Sequence, residues 1–216
     1  MVSSDGSPAA AASRRARLLG AIATALALGG IALATLLDPT FSWTGDALSD
    51  LGVRERSAPV FNGGLILGGL VGLGYAAGLW RVNRKPSAKG RDPPVGRPSA
   101  FGRSPAFGRF RALVFGLAMV AMAGVGLFDL THPLHTPAAV GFYTLVTATF
   151  AVDGVARRGR PTGRITLAFV PIHVAVWATF LAGLWPVTGL ALPELPGALM
   201  LAAWVWVVGP LPVAER

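Results

Sequence analysis

The stretch "GLFDLTHPLHTPAAVGFY" sets Asp129, His132 and His135 at regular three-residue steps. On a helix or a 3₁₀ turn, residues i and i+3 project to one side. Asp-x-x-His-x-x-His could therefore offer one carboxylate and two imidazoles to a single point. Zinc takes such ligands, with three protein groups and a water in a catalytic site. These three residues are the metal candidates and zinc is the cofactor they would suit, although Pro133 interrupts helical geometry between them. The plainer reading is a short external turn whose polar groups are solvated, with Thr136 capping the next helix ahead of Pro137 in its first turn.

A second polar knot, "DALSDLGVRER", runs from Asp46 to Arg56 and puts three carboxylates, one serine and two arginines between two long apolar runs. Asp46, or Ser49 with Asp50, suits the cap of a short interfacial helix that Gly52 would end. Ser57 is placed to cap the following span, with Pro59 in its first turn. Asn62 then falls one turn inside that span. Asp50 and Ser49 can accept hydrogen bonds that His132, His135 or Asn62 can donate. Loop 46–56 is thus expected to fold over the mouth of the protein and meet the 129–135 turn. His173, in "FVPIHVAVW", is a further candidate: an ionisable side chain deep in an apolar run faces the interior or a polar partner. The ligand-binding candidates are Ser49, Asp50, Asn62, Asp129, His132, His135 and His173.

What must position these residues is a membrane bundle. Of 216 residues, 53% are hydrophobic and 13% charged, against about 25% charged in soluble domains. Mean hydropathy is +0.58. Six stretches approach the roughly 20 apolar residues a transmembrane helix needs: 18–37, 59–80, 112–130, 138–156, 165–185 and 197–213. The fold class is all-α, a polytopic bundle of six transmembrane helices, preceded by a tail at 1–17. The first span is too long for the usual apolar region of a cleaved signal peptide. Glycines at 63, 64, 68, 69, 72 and 74 predict close helix approach.

Of the 19 Lys and Arg, all but Arg54 and Arg56 fall in the N-terminal tail, in 81–111, in 157–164 or at the C-terminus. The positive-inside rule then sets both termini in the cytoplasm of a cell-membrane protein. This distribution also explains the net charge of +9 without nucleic acid; membrane lipids are the expected partners. Segment 86–108, rich in Pro, Gly, Ser and Arg, reads as a disordered cytoplasmic loop, with basic residues that suit anionic lipid. The chain has no cysteine, which excludes disulfides, thiolate catalysis and cysteine metal sites. No Gly-x-x-x-x-Gly-Lys-Ser/Thr phosphate loop is present.

"ALSDLG", "VFNGGLILGGL" and "GLFDLTHPLHTPAAVGFY", in that order, resemble the signature blocks of the domain-of-unknown-function 998 family of prokaryotic six-span membrane proteins. The resemblance extends over roughly 18–210. It implies that Ser49, Asp50, Gly52, Phe61, Asn62, Gly64, His132 and His135 are the residues to carry over, and it implies no activity. The function expected is an integral membrane protein with an outward-facing polar pocket for a lipid headgroup or small ligand. The alternatives are a metal-dependent membrane lipid hydrolase and a small proton-coupled transporter with His173 and Asp129 as relay residues. A hydrolase of the kind that uses Ser, Asp and three His would also need a His-x-x-x-His pair on a late helix, which is absent.

Overall fold

A computed structural model describes residues 8–82, 104–211 and 213–214. The chain forms α1 (Pro8–Leu37), a 3₁₀ turn (Leu48–Gly52), α2 (Ala58–Val82), α3 (Pro105–Leu127), α4 (His135–Ala156), α5 (Pro161–Leu181) and α6 (Ala191–Ala203). A π-helical turn, Trp204–Val208, prolongs α6. The described residues are all-helical, and six helices among them are long and apolar enough to cross a membrane. The shortest candidate span, Ala191–Val208, has 18 residues, or about 27 Å of helix against a hydrocarbon core of about 30 Å.

Several boundaries differ from the sequence-based expectation. α1 begins at Pro8, so helix occupies part of the expected 1–17 tail. α3 begins at Pro105, inside the expected 86–108 loop; Ser104 caps it by accepting the Phe107 amide at 3.2 Å. The rest of that loop, 86–103, lies outside the described residues. Two expected caps are corrected. Ser57 donates its hydroxyl to Leu51 O at 2.8 Å, tying α2 to the 3₁₀ turn rather than accepting an α2 amide. α4 starts at His135 after Leu134, without a side-chain cap, so Thr136 lies inside the helix.

Consecutive helices pack against one another from α1 to α5. The sixth span closes the bundle, touching α4, α5 and, through its π turn, α1. The connections α1–α2, α3–α4 and α5–α6 share one end, called the loop end here. The first turn of α1, the last turn of α2, the first turn of α3 and Arg157–Arg160 share the other, basic end. The α1–α2 contact rests on glycine: a Cβ at Gly64 would stand 2.7 Å from Leu26 O and 3.0 Å from Gly30 Cα. Only bare backbone lets the two helices come this close.

At the basic end the bundle is tied by a buried polar hub. Asp153, on α4, is fully buried. It accepts Arg111 Nη1 from α3 at 2.9 Å and Trp204 Nε1 from the sixth span at 2.8 Å. It also pairs with Arg157 one turn along its own helix through both Nε and Nη2. Arg157 continues to Thr162 and Thr166 of α5. One carboxylate thereby joins four spans, and its acceptor positions are used as a buried carboxylate requires.

Candidate functional site

Loop 38–57 is a folded cap. Arg54 reaches Asp38 at 3.1 Å and Asp46 at 2.9 Å. Asp46 also accepts the Ser42 amide at 2.8 Å, and Asp38 accepts the amide and hydroxyl of Thr40. The Thr40 hydroxyl, ahead of Arg54, holds the Asp38 carboxyl below the ordinary aspartate range. The Ser42 amide and then Arg54 do the same for Asp46. Asp50 accepts the Ala47 amide at 2.7 Å and so closes the 3₁₀ turn on itself. Asn62 Nδ2 donates to Gly52 O at 2.8 Å, pinning the turn to α2.

The neighbour of this cap is the α5–α6 connection. Thr188 and Gly189 amides donate to Thr44 O, the Ala191 amide to Asp46 O, and the Leu48 amide to Glu194 Oε2 at 2.8 Å. Among the described residues no hydrogen bond joins this loop to the 129–135 turn, the meeting expected from the sequence.

The 129–135 turn uses its own polar groups. Asp129 accepts the amide and hydroxyl of Thr131, which hold its carboxyl below the ordinary range. His132 is exposed, stacks on Phe128 with ring centres 4.7 Å apart, and accepts the Leu134 amide at Nδ1. His135 is 5% exposed, and its Nδ1 lies 2.7 Å from Phe128 O. Among the described residues no three His, Asp or Glu side chains form a group able to hold a metal ion. His173 is buried and fully engaged. Trp177 donates to its Nε2 at 3.2 Å, so the proton sits on Nδ1 and goes to Thr147 Oγ1 at 2.8 Å. Thr147 passes its own hydrogen to Tyr143 O. That chain leaves the imidazole neutral, with each nitrogen satisfied.

Two of the candidates, Ser49 and His135, meet at a cavity. It measures about 90 Å³ and is lined by all spans except α5. Space of that size exceeds a single water site several times over. On α1 its wall runs from Gly20 to Ile31 and on the sixth span from Glu194 to Val205, each about 16 Å at the helical rise. Most of the wall is apolar, with Met119 and Met122 giving adaptable surface. The polar groups gather at the loop end: Ser49, His135, Tyr143 and Glu194. At the opposite end the Tyr75 hydroxyl is already committed to Leu211 O at 2.9 Å.

The hydrogen bonds fix what these polar groups offer. A carbonyl only accepts, so His135 Nδ1 carries a proton, and in the neutral ring Nε2 keeps its lone pair. Glu194 uses Oε2 for Leu48, while Oε1 has no partner among the described residues. The Ser49 and Tyr143 hydroxyls have none either. Ser49 is 8% and Glu194 7% exposed. Glu194 stands outside the sequence-derived candidate set. An acidic residue in the first turn of an apolar span, "ALPELPG", is the signal that could have found it.

The family model described as "Protein of unknown function (DUF998)" matches residues 21–91, the part of the chain that holds the first two of the three sequence blocks. The match covers most of α1, the polar loop and α2, hence Ser49, Asp50 and Asn62; His135 and Glu194 lie beyond it. Six apolar helices fit a membrane protein family. No curated protein and no solved structure matches the chain.

Proposed function

Taking this chain as a DUF998 membrane protein with six candidate spans, we propose that it binds one amphipathic lipid-like molecule inside the bundle. The alkyl chain lies along the apolar wall and the head at the loop end. The observation that carries the reading is the polarity of the cavity: about 16 Å of apolar wall ending at Ser49, His135, Tyr143 and Glu194. Small-molecule sites have this character, apolar walls with a few converging polar groups. In the accompanying topology the basic end faces the cytoplasm and the loop end faces outward, a reading supported by the distribution of Lys and Arg. The cap 38–57 then covers the outer mouth, and Leu48 and Ser49 form part of both cap and cavity wall.

The test is photo-crosslinking in nanodiscs with an alkyl chain that carries a diazirine. Adducts are expected on Met119, Met122 and Leu201, which face the cavity, and should be competed by excess unlabelled amphiphile. Adducts confined to lipid-facing residues such as Leu33 and Leu70 would refute it.

A further inference from the structure

The head of the ligand can be specified from what the loop end of the cavity lacks. Three side chains, each more than nine-tenths buried, keep an unpartnered polar atom there: Glu194 Oε1, His135 Nε2 and Ser49 Oγ. An ionised Glu194 accepts at Oε1 and a neutral His135 accepts at Nε2, and a hydroxyl can accept as well. No Lys or Arg lines the cavity, and among the described residues no cation pairs with Glu194. A buried carboxylate with one amide donor and no counter-charge is costly. The same absence of cations disfavours phosphate or carboxylate heads, which would add negative charge beside Glu194.

We propose that the cavity binds a long-chain primary amine, its ammonium seated between Glu194, His135 and Ser49. This rests on the amphiphile-binding reading above and names its ligand class. An ammonium carries three N–H donors and the positive charge Glu194 lacks, so its donor count equals the number of free acceptors. An alcohol brings one donor and no charge. A quaternary ammonium brings charge without N–H. The Tyr143 hydroxyl remains to donate to an oxygen carried next to the amine. The position of Glu194 in the first turn of α6 also places the carboxylate at a helix N-terminus, where it is favoured.

The experiment measures binding of tetradecylamine, tetradecan-1-ol, tetradecanoate and tetradecyltrimethylammonium to the full chain in phosphatidylcholine nanodiscs, by competition against the diazirine probe. The amine should compete about tenfold or more better than the alcohol, as charge-assisted hydrogen bonds allow. Tetradecanoate should be weakest. Glu194→Gln should abolish the amine's advantage over the alcohol. Since the wild-type ranking needs no variant, the test survives a poorly folding E194Q. Repeating the amine titration in phosphatidylethanolamine nanodiscs distinguishes two sources of the same head. Loss of competition there assigns the amine to a phospholipid, and persistence assigns it to a single-chain base. Equal binding of amine and alcohol, or an amine preference that survives in E194Q, overturns the head-group assignment alone. Failure of every probe to compete overturns it together with the amphiphile-binding reading.

Discussion

Arg54 holds the polar loop together as a bridge between two carboxylates, and its environment fixes a pH window. Asp38 and Asp46 are both held below the ordinary aspartate value of 3.8. A carboxyl whose folded pKa is depressed adds stability above its unfolded value, and that stability is lost as pH falls through the folded value. The loop should therefore stay closed from neutral pH down to about 4 and open below it. Amide-exchange protection at Thr40 and Ser42 reports this; protection already lost at pH 6 would contradict it. Asp153 carries a larger effect. Replacing it by Asn leaves the buried Arg111 and the half-buried Arg157 without a counter-charge, a loss of about 3–5 kcal/mol. Chemical unfolding in detergent should show D153N far less stable, with Trp204 fluorescence altered because its indole N–H loses a carboxylate partner. The knot that holds Asp46 and Arg54 stood out in the sequence, but the Asp153 hub did not. An aspartate in "FAVDGVARR" reads as a residue near a basic loop until Arg111, more than forty residues earlier, folds onto it.

Among the elements, α2 offers the sharpest internal control, because two adjacent glycines differ in what surrounds them. A Cβ at Gly63 would meet nothing within 4 Å, whereas one at Gly64 would press on the backbone of α1. Gly64→Ala should cost about 1–3 kcal/mol, the usual range for overpacking, and Gly63→Ala should be near neutral. Equal effects in thermal unfolding would mean that α1 and α2 do not meet through this face. The spans themselves were legible because hydrocarbon thickness demands a run of apolar residues, and the glycine density of α2 announced close packing. Helix ends were less legible. Ser57 and Thr136 have the residue types of caps, yet tertiary partners decide their roles: Ser57 turns to Leu51 O, and α4 starts one residue before Thr136. Spacing also joined His132 with His135, but the turn exposes one and buries the other.

For the whole molecule, the topology and the cavity can be tested separately. The chain has no cysteine, so single cysteines at Gly159 and Thr188 report opposite ends without background. Impermeant maleimide should label Thr188→Cys from outside and Gly159→Cys only after permeabilisation; labelling from the same side would contradict the bundle. The cavity was half legible. Ser49 and His135 stood out by chemistry, but Glu194 joined them only because α6 packs beneath the polar loop, a long-range contact that no local pattern encodes. The central claim is that one amphiphile occupies this cavity, and native mass spectrometry tests it directly. Wild-type protein released from detergent should retain one amphiphile per chain after the annular lipid is stripped. Ala198→Trp, which fills the cavity wall with an indole, should retain none while unfolding at a similar temperature. A folded A198W protein that keeps the same adduct, or wild-type protein that carries none when incubated with tetradecylamine, would contradict the account.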